Sequence, residues 1–139
     1  MSLFSVMQIA GTALAAQTVR MNVTASNMAN ADSAASSIGG TYRARAPVFE
    51  PLLNDSFDDN QSAVGGVHVT GIVESQAPLR REYLPGSPLA DHDGYVFMPN
   101  VNAVEEMANM IAASRGYQTN VEILDASKQM LARTLAIGQ

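Results

Sequence analysis

Apolar residues recur at alternating spacings of four and three near both ends of the chain, and this spacing constrains the fold more than any other feature. Near the N-terminus the pattern runs from Leu3 to Met28, and near the C-terminus it runs from Ala103 to Leu135. Side chains at this spacing lie along one stripe of an α-helix, as they do in coiled coils. The sequence therefore predicts long terminal helices, within residues 1–31 and 101–139, that pack as a coiled-coil-like pair.

The apolar residues along each predicted helix form a candidate surface for assembly, which we call a seam. The N-seam consists of Leu3, Met7, Ala10, Leu14, Met21 and Met28, and the C-seam consists of Met107, Met110, Tyr117, Val121, Leu124, Leu131 and Leu135. Between the N-seam positions the helix carries Ala, Ser, Thr, Gln and Asn, and Arg20 is the only charged side chain in residues 1–31. Because a helix facing water normally carries charges on its outer face, we interpret both helices as assembly elements. A closed monomeric helix pair is the alternative.

The middle of the chain, residues 32–100, has a different character. It contains all six prolines and most of the glycines, which interrupt helices. Residues 67–74 alternate and are β-branched, which predicts a strand, and residues 48–50 and 94–98 are shorter strand candidates. Residues 54–66 are acidic and glycine-containing, so we expect a flexible loop there. The predicted fold class is mainly α with a small β insert, in which an extended, β-rich middle separates the two terminal helices.

Composition argues against catalysis and nucleic-acid binding. Charged residues make up 15% of the chain and the formal net charge is −5, whereas a nucleic-acid binder carries a basic surface. The chain has no Cys and two His, so thiol nucleophiles and Cys-ligated zinc sites are excluded. The adjacent residues Asp91, His92 and Asp93 are poorly spaced to face one metal ion. We therefore expect no enzymatic activity, no cofactor and no metal site.

The apolar segment from Leu3 to Ala16 superficially resembles a secretory signal, with Ala13 and Ala15 in a cleavage-like pattern. A signal peptide needs a basic region before its apolar core, and no Lys or Arg precedes Arg20. The segment is also too short to span a bilayer. We predict that it is not cleaved. The alternative is a secreted periplasmic binding or chaperone-like module with a cleaved signal peptide.

A family resemblance rests on several sequence blocks. Ser26, Asn27, Ala29 and Asn30 form a Ser-Asn-x-Ala-Asn sequence that resembles the signature of the bacterial flagellar axial proteins. Residues 74–78, 83–91, 94–101 and 113–121 are similar to the basal-body rod proteins of the proximal rod, C-type subunit. In axial proteins the signature is commonly followed by Asn-Thr-x-Gly-Tyr, whereas in this chain a longer segment joins the signature to Tyr42. A longer link also suits the proximal-rod subunits.

The resemblance implies a structural role in the bacterial flagellum. It implies a rod subunit that associates with itself, with other rod subunits and with basal-body proteins, in a drive shaft that crosses the periplasm. The terminal helices would form the inner tube around the export channel, and Gln17, Asn22 and Asn27 are candidates for its polar inner face. The subunit would reach this place through the flagellar type III export apparatus without a cleaved signal. Neither nucleic-acid binding nor direct membrane insertion is expected.

Overall fold

A computed structural model describes residues 2–52 and 65–137 of the chain. Two long helices, α1 (Leu3–Ala29) and α2 (Ala103–Ile137), pack side by side. Between them lie a short 3-10 turn at Ile38–Gly40 and four strands: β1 (Arg45–Pro51), β2 (Val67–Glu74), β3 (Arg80–Tyr83) and β4 (Tyr95–Met98). The predicted fold class is confirmed. The expected flexible loop at 54–66 falls almost entirely outside the described residues.

Short polar side chains define where the helices begin and end. The Ser2 hydroxyl accepts a hydrogen bond from the first turn of α1 at 3.3 Å. At the other end of α1, the Asn30 side chain donates to the Ser26 carbonyl at 2.8 Å, which also accepts from the Asn30 amide at 3.2 Å. The Asn102 Oδ1 accepts from the first amides of α2. Each cap matches the residue types that favour these positions.

Strands β1 and β2 form an antiparallel ribbon that lies along α1. Arg45 is opposite Glu74 at one end of the ribbon and Pro51 is opposite Val67 at the other, with an irregularity between Val48 and Phe49. At the first end the Arg45 amide donates to the Asn27 side chain at 2.9 Å. At the second end the Val67 amide donates to the Thr12 hydroxyl at 3.2 Å. The ribbon is therefore fixed to α1 near both of its ends.

Strands β3 and β4 form a second antiparallel pair, and β4 begins a run of buried side chains. Val96 is fully buried and Met98 nearly so, and Pro99 and Val101 continue the buried run toward α2. The sequence did not predict β3, because its four residues, Arg80–Tyr83, are all exposed and mostly charged. The strand forms because its backbone pairs with β4. This core therefore lies where the end of α1 meets the beginning of α2.

Candidate assembly interface

The contact between α1 and α2 is built from small and polar residues. On α1 the buried members of this contact are Ala10, Thr24 and Asn27, and on α2 they are Ala113 and Ser127. Small side chains let two helix backbones approach closely, but they bury little apolar area. The most deeply buried part of the helix contact is therefore made by small side chains that bury little apolar area.

At Gly116 a side chain of α1 lies close to the α2 backbone. A Cβ at Gly116 would lie 3.1 Å from the Gln17 Nε2 and 3.2 Å from its Cδ. The Gln17 Oε1 is buried and has no hydrogen-bond partner within the described residues. The structure therefore shows a close approach between α1 and α2 at Gly116.

The predicted seams occupy half-buried positions to different extents. All N-seam residues are buried or half-buried. In the C-seam, Met110, Val121, Leu124 and Leu131 are half-buried, whereas Met107, Tyr117 and Leu135 are exposed. The role of both seams in assembly remains a prediction.

A second stripe of α2, which the sequence reasoning missed, faces α1 at seven-residue intervals. It consists of Glu106, Ala113, Asn120 and Ser127, of which Ala113 and Ser127 are fully buried. A search for large apolar residues does not find such a stripe. Its sequence signal is a repeat of small and polar residues at a spacing of seven, beside Gly116.

Asn27 connects three elements of the fold. Its Oδ1 accepts hydrogen bonds from the Tyr42 hydroxyl at 2.8 Å and the Arg45 amide at 2.9 Å. Its Nδ2 donates to the Arg45 carbonyl at 2.8 Å and to the Glu106 carboxylate at 3.0 Å. The side chain is 1% exposed, and these four bonds use its full hydrogen-bonding capacity. One amide thus joins α1 to the start of β1 and to the first turn of α2.

The rest of the signature supports this junction. Ser26 lies within hydrogen-bond distance of the Tyr42 hydroxyl at 3.3 Å, and Asn30 closes the end of α1 as described above. Ala29 is exposed. Of the candidates for a polar inner face, Asn27 is buried and fully hydrogen-bonded within the subunit, and Gln17 is half-buried. Asn22 is exposed.

Asn100 holds the neighbouring segment in a similar way. Its Oδ1 accepts from the Ala44 amide at 2.8 Å, and its Nδ2 donates to the Ala77 carbonyl at 2.9 Å. The Arg43 guanidinium donates to the Ser75 carbonyl at 3.0 Å. The sequence blocks at 74–78 and 94–101 therefore meet at one place in the fold, on either side of the entry into β1.

The outward surface of α1 carries no charge along its whole length. Its members, spaced by four and three, are all exposed: Phe4, Gln8, Gly11, Ala15, Thr18, Asn22, Ala25 and Ala29. We call this set the α1 stripe. Phe4 is 70% exposed and is its only large apolar residue. A helix surface of this kind is suited to contact with another protein surface, since small uncharged side chains lose little hydration on burial.

The beginning of α2 presents an exposed apolar patch. Val104 is 76% exposed, Ile111 is 56% exposed and Met107 is 52% exposed. Their spacing of three and four puts them on one side of the helix. Further along α2 the exposed residues include Arg115, Gln118, Glu122 and Asp125. The exposed surface of α2 therefore has an apolar patch near its start and charged residues in its middle, and Met130 and Leu135 are exposed again toward its end.

In the turn at residues 91–93, where no metal site was expected, the Asp91 side chain holds the backbone together. The Asp91 carboxylate accepts hydrogen bonds from the amides of Tyr95 at 2.8 Å and Asp93 at 3.0 Å, and it pairs with Arg81 at 3.1 Å. The Tyr95 amide, then the Asp93 amide and Arg81, lower the pKa of the Asp91 carboxyl. The Arg81 guanidinium also lies 4.6 Å from the centre of the Tyr95 ring. The carboxylate is thus already bound within its own hairpin.

The concave surfaces of the described residues do not assemble a recognisable catalytic group. The cleft between β1 and α2 has a volume of about 500 Å³. Two of its charged groups are engaged locally, Arg20 with Asn109 at 3.1 Å and Arg45 with Glu74 at 3.0 Å. Within residues 2–52 and 65–137, His, Asp and Glu side chains form no group of three that could hold a metal ion. In the same residues, neither helix has an apolar stretch long enough to cross a membrane.

Two known family models match the two helical ends of the chain. Residues 7–34 match the family model described as flagella basal body rod protein, and residues 92–137 match the model described as flagellar basal body rod FlgEFG protein C-terminal. The two matches cover most of α1 and all of α2. They define the chain as a protein of the flagellar rod class.

Full-length relatives define the family more closely. The chain is 50% identical over 139 residues to the flagellar basal-body rod protein FlgC of Salmonella typhimurium, with 100% of both chains covered. It has the same identity and coverage with the FlgC protein of Escherichia coli O6:H1. The FlgC protein of Borreliella burgdorferi is 38% identical over 151 residues, with 100% of this chain and 99% of the relative covered. The chain belongs to the flagellar basal-body rod protein FlgC family.

Family membership makes the chain a structural subunit of the flagellar basal-body rod, which assembles with other rod and basal-body components. It confirms the resemblance stated from the sequence. The comparisons give no support to the alternative of a binding or chaperone-like module with a cleaved signal.

Proposed function

We propose that the subunit polymerises through its terminal helices into the proximal part of the rod, as a section of the drive shaft that transmits torque across the periplasm. In this proposal residues 1–31 and 101–139 form the axial, inner-tube domain, and residues 32–100 face outward. The observation that supports it best is the α1 stripe, an exposed helix surface without a single charge. Such a surface is suited to burial against neighbouring subunits.

The charges of α2 favour a distinct place for that helix. Burying Arg115, Glu122 and Asp125 without partners would cost several kcal/mol each, so this part of α2 is better suited to face water. In a tube that encloses an export channel, the channel supplies that water. We therefore propose that the charged half of α2 borders the channel and that the α1 stripe contacts neighbours.

The N-terminal segment is proposed to remain attached after export through the flagellar type III apparatus. Cleavage near Ala15 would remove half of α1, including the buried Ala10 and the half-buried Leu3, Met7 and Leu14. The shortened helix would lose most of the N-seam. No catalysis, nucleic-acid binding or membrane insertion forms part of the proposal.

A matched pair of exposed substitutions tests the proposed polymerisation surface. Ala15→Glu places a charge on the α1 stripe, and Gln118→Glu places one on the charged side of α2. Both positions are exposed in the single subunit, so each change is expected to alter its unfolding free energy by no more than about 0.5 kcal/mol. In a strain that lacks its own copy, we expect Ala15→Glu to abolish rod assembly and swimming, and Gln118→Glu to preserve both.

Mass spectrometry of the subunit recovered from purified basal bodies tests the export proposal. An intact N-terminal segment is expected. Loss of residues up to about position 15 would contradict export without cleavage.

In the substitution experiment, normal rods from the Ala15→Glu variant would contradict the proposed polymerisation surface.

A further inference from the structure

The outer edge of β2 carries backbone groups that β1 does not use. Within the described residues, β2 is paired on one side only. The Leu52 amide donates to the Gly66 carbonyl, and the Ser75 amide donates to the Ala44 carbonyl, both at 2.8 Å. The register shifts at Thr70, which has no partner in β1. Backbone groups alternate in direction along the regular parts of the strand on either side of it. The Leu52 bond therefore indicates that the Val69 amide points away from β1, and the Ser75 bond indicates the same for the Ile72 amide.

A shallow trough runs between this edge and α1. It consists of two adjoining hollows of about 330 and 300 Å³ that share Val19 as a lining residue. Ala15 and Asn22, which belong to the α1 stripe, lie on its helix side, and Val69 and Ile72 lie on its strand side. The trough therefore joins the open strand edge to the uncharged surface of α1.

The charges around the trough restrict what can occupy it. The helix side contributes no ionisable group. On the strand side, Arg45 lies near one end and is paired with Glu74 at 3.0 Å, and His68 lies near the other end. A partner with charged side chains here would lose hydration without gaining a counter-charge. The chemistry thus favours an uncharged partner surface.

Apart from the irregularity at Thr70, β2 has little protection against pairing with another chain. Edge strands are commonly blocked by lysine or proline, and β2 contains neither between Val67 and Glu74. Ile72 is 52% exposed at this edge. The outward Val67 amide is already bonded to the Thr12 hydroxyl of α1. A helix placed in the trough would leave the outward amides of Val69 and Ile72 without partners, whereas an extended chain would pair with them.

We propose that the trough receives an extended segment of a neighbouring axial subunit, which adds to β2 as a third strand with small apolar side chains facing α1. The inference rests on the proposed function, since it takes the subunit to be packed among other axial subunits. A second copy of β2 is a poor occupant, because pairing of two identical antiparallel edges closes after two copies. A rod instead needs contacts that repeat from one subunit to the next without closing.

Hydrogen exchange in isolated rods tests this arrangement directly. On assembly, the amides of Val69 and Ile72 are expected to exchange at least about tenfold more slowly than in the free subunit. The Val73 amide, which faces β1, serves as an internal reference and is expected to change less. Equal exchange at Val69 and Ile72 in rods and free subunit would overturn the inference while leaving rod formation itself intact.

Two adjacent substitutions supply a matched control. Ile72 and Val73 are both 52% exposed, but successive side chains of a strand lie on opposite faces. Ile72→Lys is expected to lower rod yield at least about tenfold, and Val73→Lys to leave it nearly unchanged, with both free subunits showing the parental melting curve. Equal rod yields from the two variants would overturn the inference.

A photoreactive residue at position 72 identifies the occupant. In purified rods we expect cross-links to an extended, uncharged segment of an adjacent axial subunit, at alternate residues of that segment. Cross-links to β2 of a second copy, or to a helix, would overturn the proposal. Failure of the Ala15→Glu experiment above contradicts the polymerisation surface, whereas failure here in normally formed rods contradicts strand addition alone.

Discussion

Replacing Asn27 with Asp tests how far one buried amide holds the subunit together. The change preserves the size of the side chain and both acceptor bonds, from the Tyr42 hydroxyl and the Arg45 amide. It removes the two donated bonds, to the Arg45 carbonyl and the Glu106 carboxylate. It also places a carboxylate where an N–H group now lies 3.0 Å from the Glu106 carboxylate.

The expected cost follows from those contacts. Two lost hydrogen bonds contribute about 1 kcal/mol each. A buried charge without a counter-charge raises the total to about 3–5 kcal/mol at neutral pH. That amount is a large part of the 5–15 kcal/mol by which domains are usually stable. We expect the urea midpoint of the Asn27→Asp variant to fall accordingly, and the Arg45 amide, which bonds to position 27, to exchange faster.

The pH dependence separates this explanation from a simple packing defect. Burial and the neighbouring carboxylate raise the pKa of the introduced carboxyl above the value of about 3.9 that it has in the unfolded chain. The folded variant then binds an extra proton as the pH falls, so its deficit relative to the parent shrinks between about pH 7 and pH 4. Asn22→Asp, exposed on the same helix, is the control and should cost little at any pH. A pH-independent deficit, or none, would refute the reasoning.

Three further substitutions test other parts of the fold. Leu124→Asp should stop rod assembly and destabilise the subunit by several kcal/mol. Leu135→Asp, at a position that is 72% exposed, is the control and should leave the melting temperature of the free subunit nearly unchanged. Equal melting curves for the two variants would contradict the placement of Leu124. The lowered pKa of Asp91 means that its ionised form contributes stability above the unfolded pKa of about 4, which is lost as the pH falls through the folded value. Asp91→Asn should therefore weaken the β3–β4 hairpin at pH 7 and flatten its acid transition, as followed by amide exchange at Tyr95; an unchanged acid transition would contradict this. Gly94→Ala should destabilise the hairpin by at least about 1 kcal/mol, because Gly94 has a φ of +82° and an added Cβ would lie 2.8 Å from the Tyr83 ring; thermal melting measures the loss, and an unaltered midpoint would contradict it.

The elements that sequence could predict are those with a strong local signal. The spacing of apolar residues located both helices, and β-branched alternation located β2. The same reasoning missed β3, because Arg80–Tyr83 is charged and exposed and exists as a strand only through pairing with β4. Its partner Val96 is fully buried, but no local pattern reveals which segment will pair with it.

The contact face of α2 shows a second limit. Apolar periodicity located Met110 and Leu124, which are half-buried, but it also selected Met107, which is exposed. The residues most deeply packed against α1 are Ala113 and Ser127, which a hydrophobicity pattern ranks low. Close helix packing selects small side chains, and an assembling helix must also present apolar residues outward. A single chain therefore does not reveal which face is internal.

Burial within the subunit is uneven: the large buried side chains lie near the end of α1 and the start of α2. Asn27, Val96 and Val101 are deeply buried around the end of α1 and the start of α2. Toward the free ends of the two helices, full burial falls on the small residues Ala10 and Ser127, whose contacts stabilise little. Most helical stability comes from packing of side chains. In the proposed assembly, the distal parts of the helices therefore gain stabilisation from neighbouring subunits, while the hydrogen bonds of Asn27 hold the end of α1 against the start of α2.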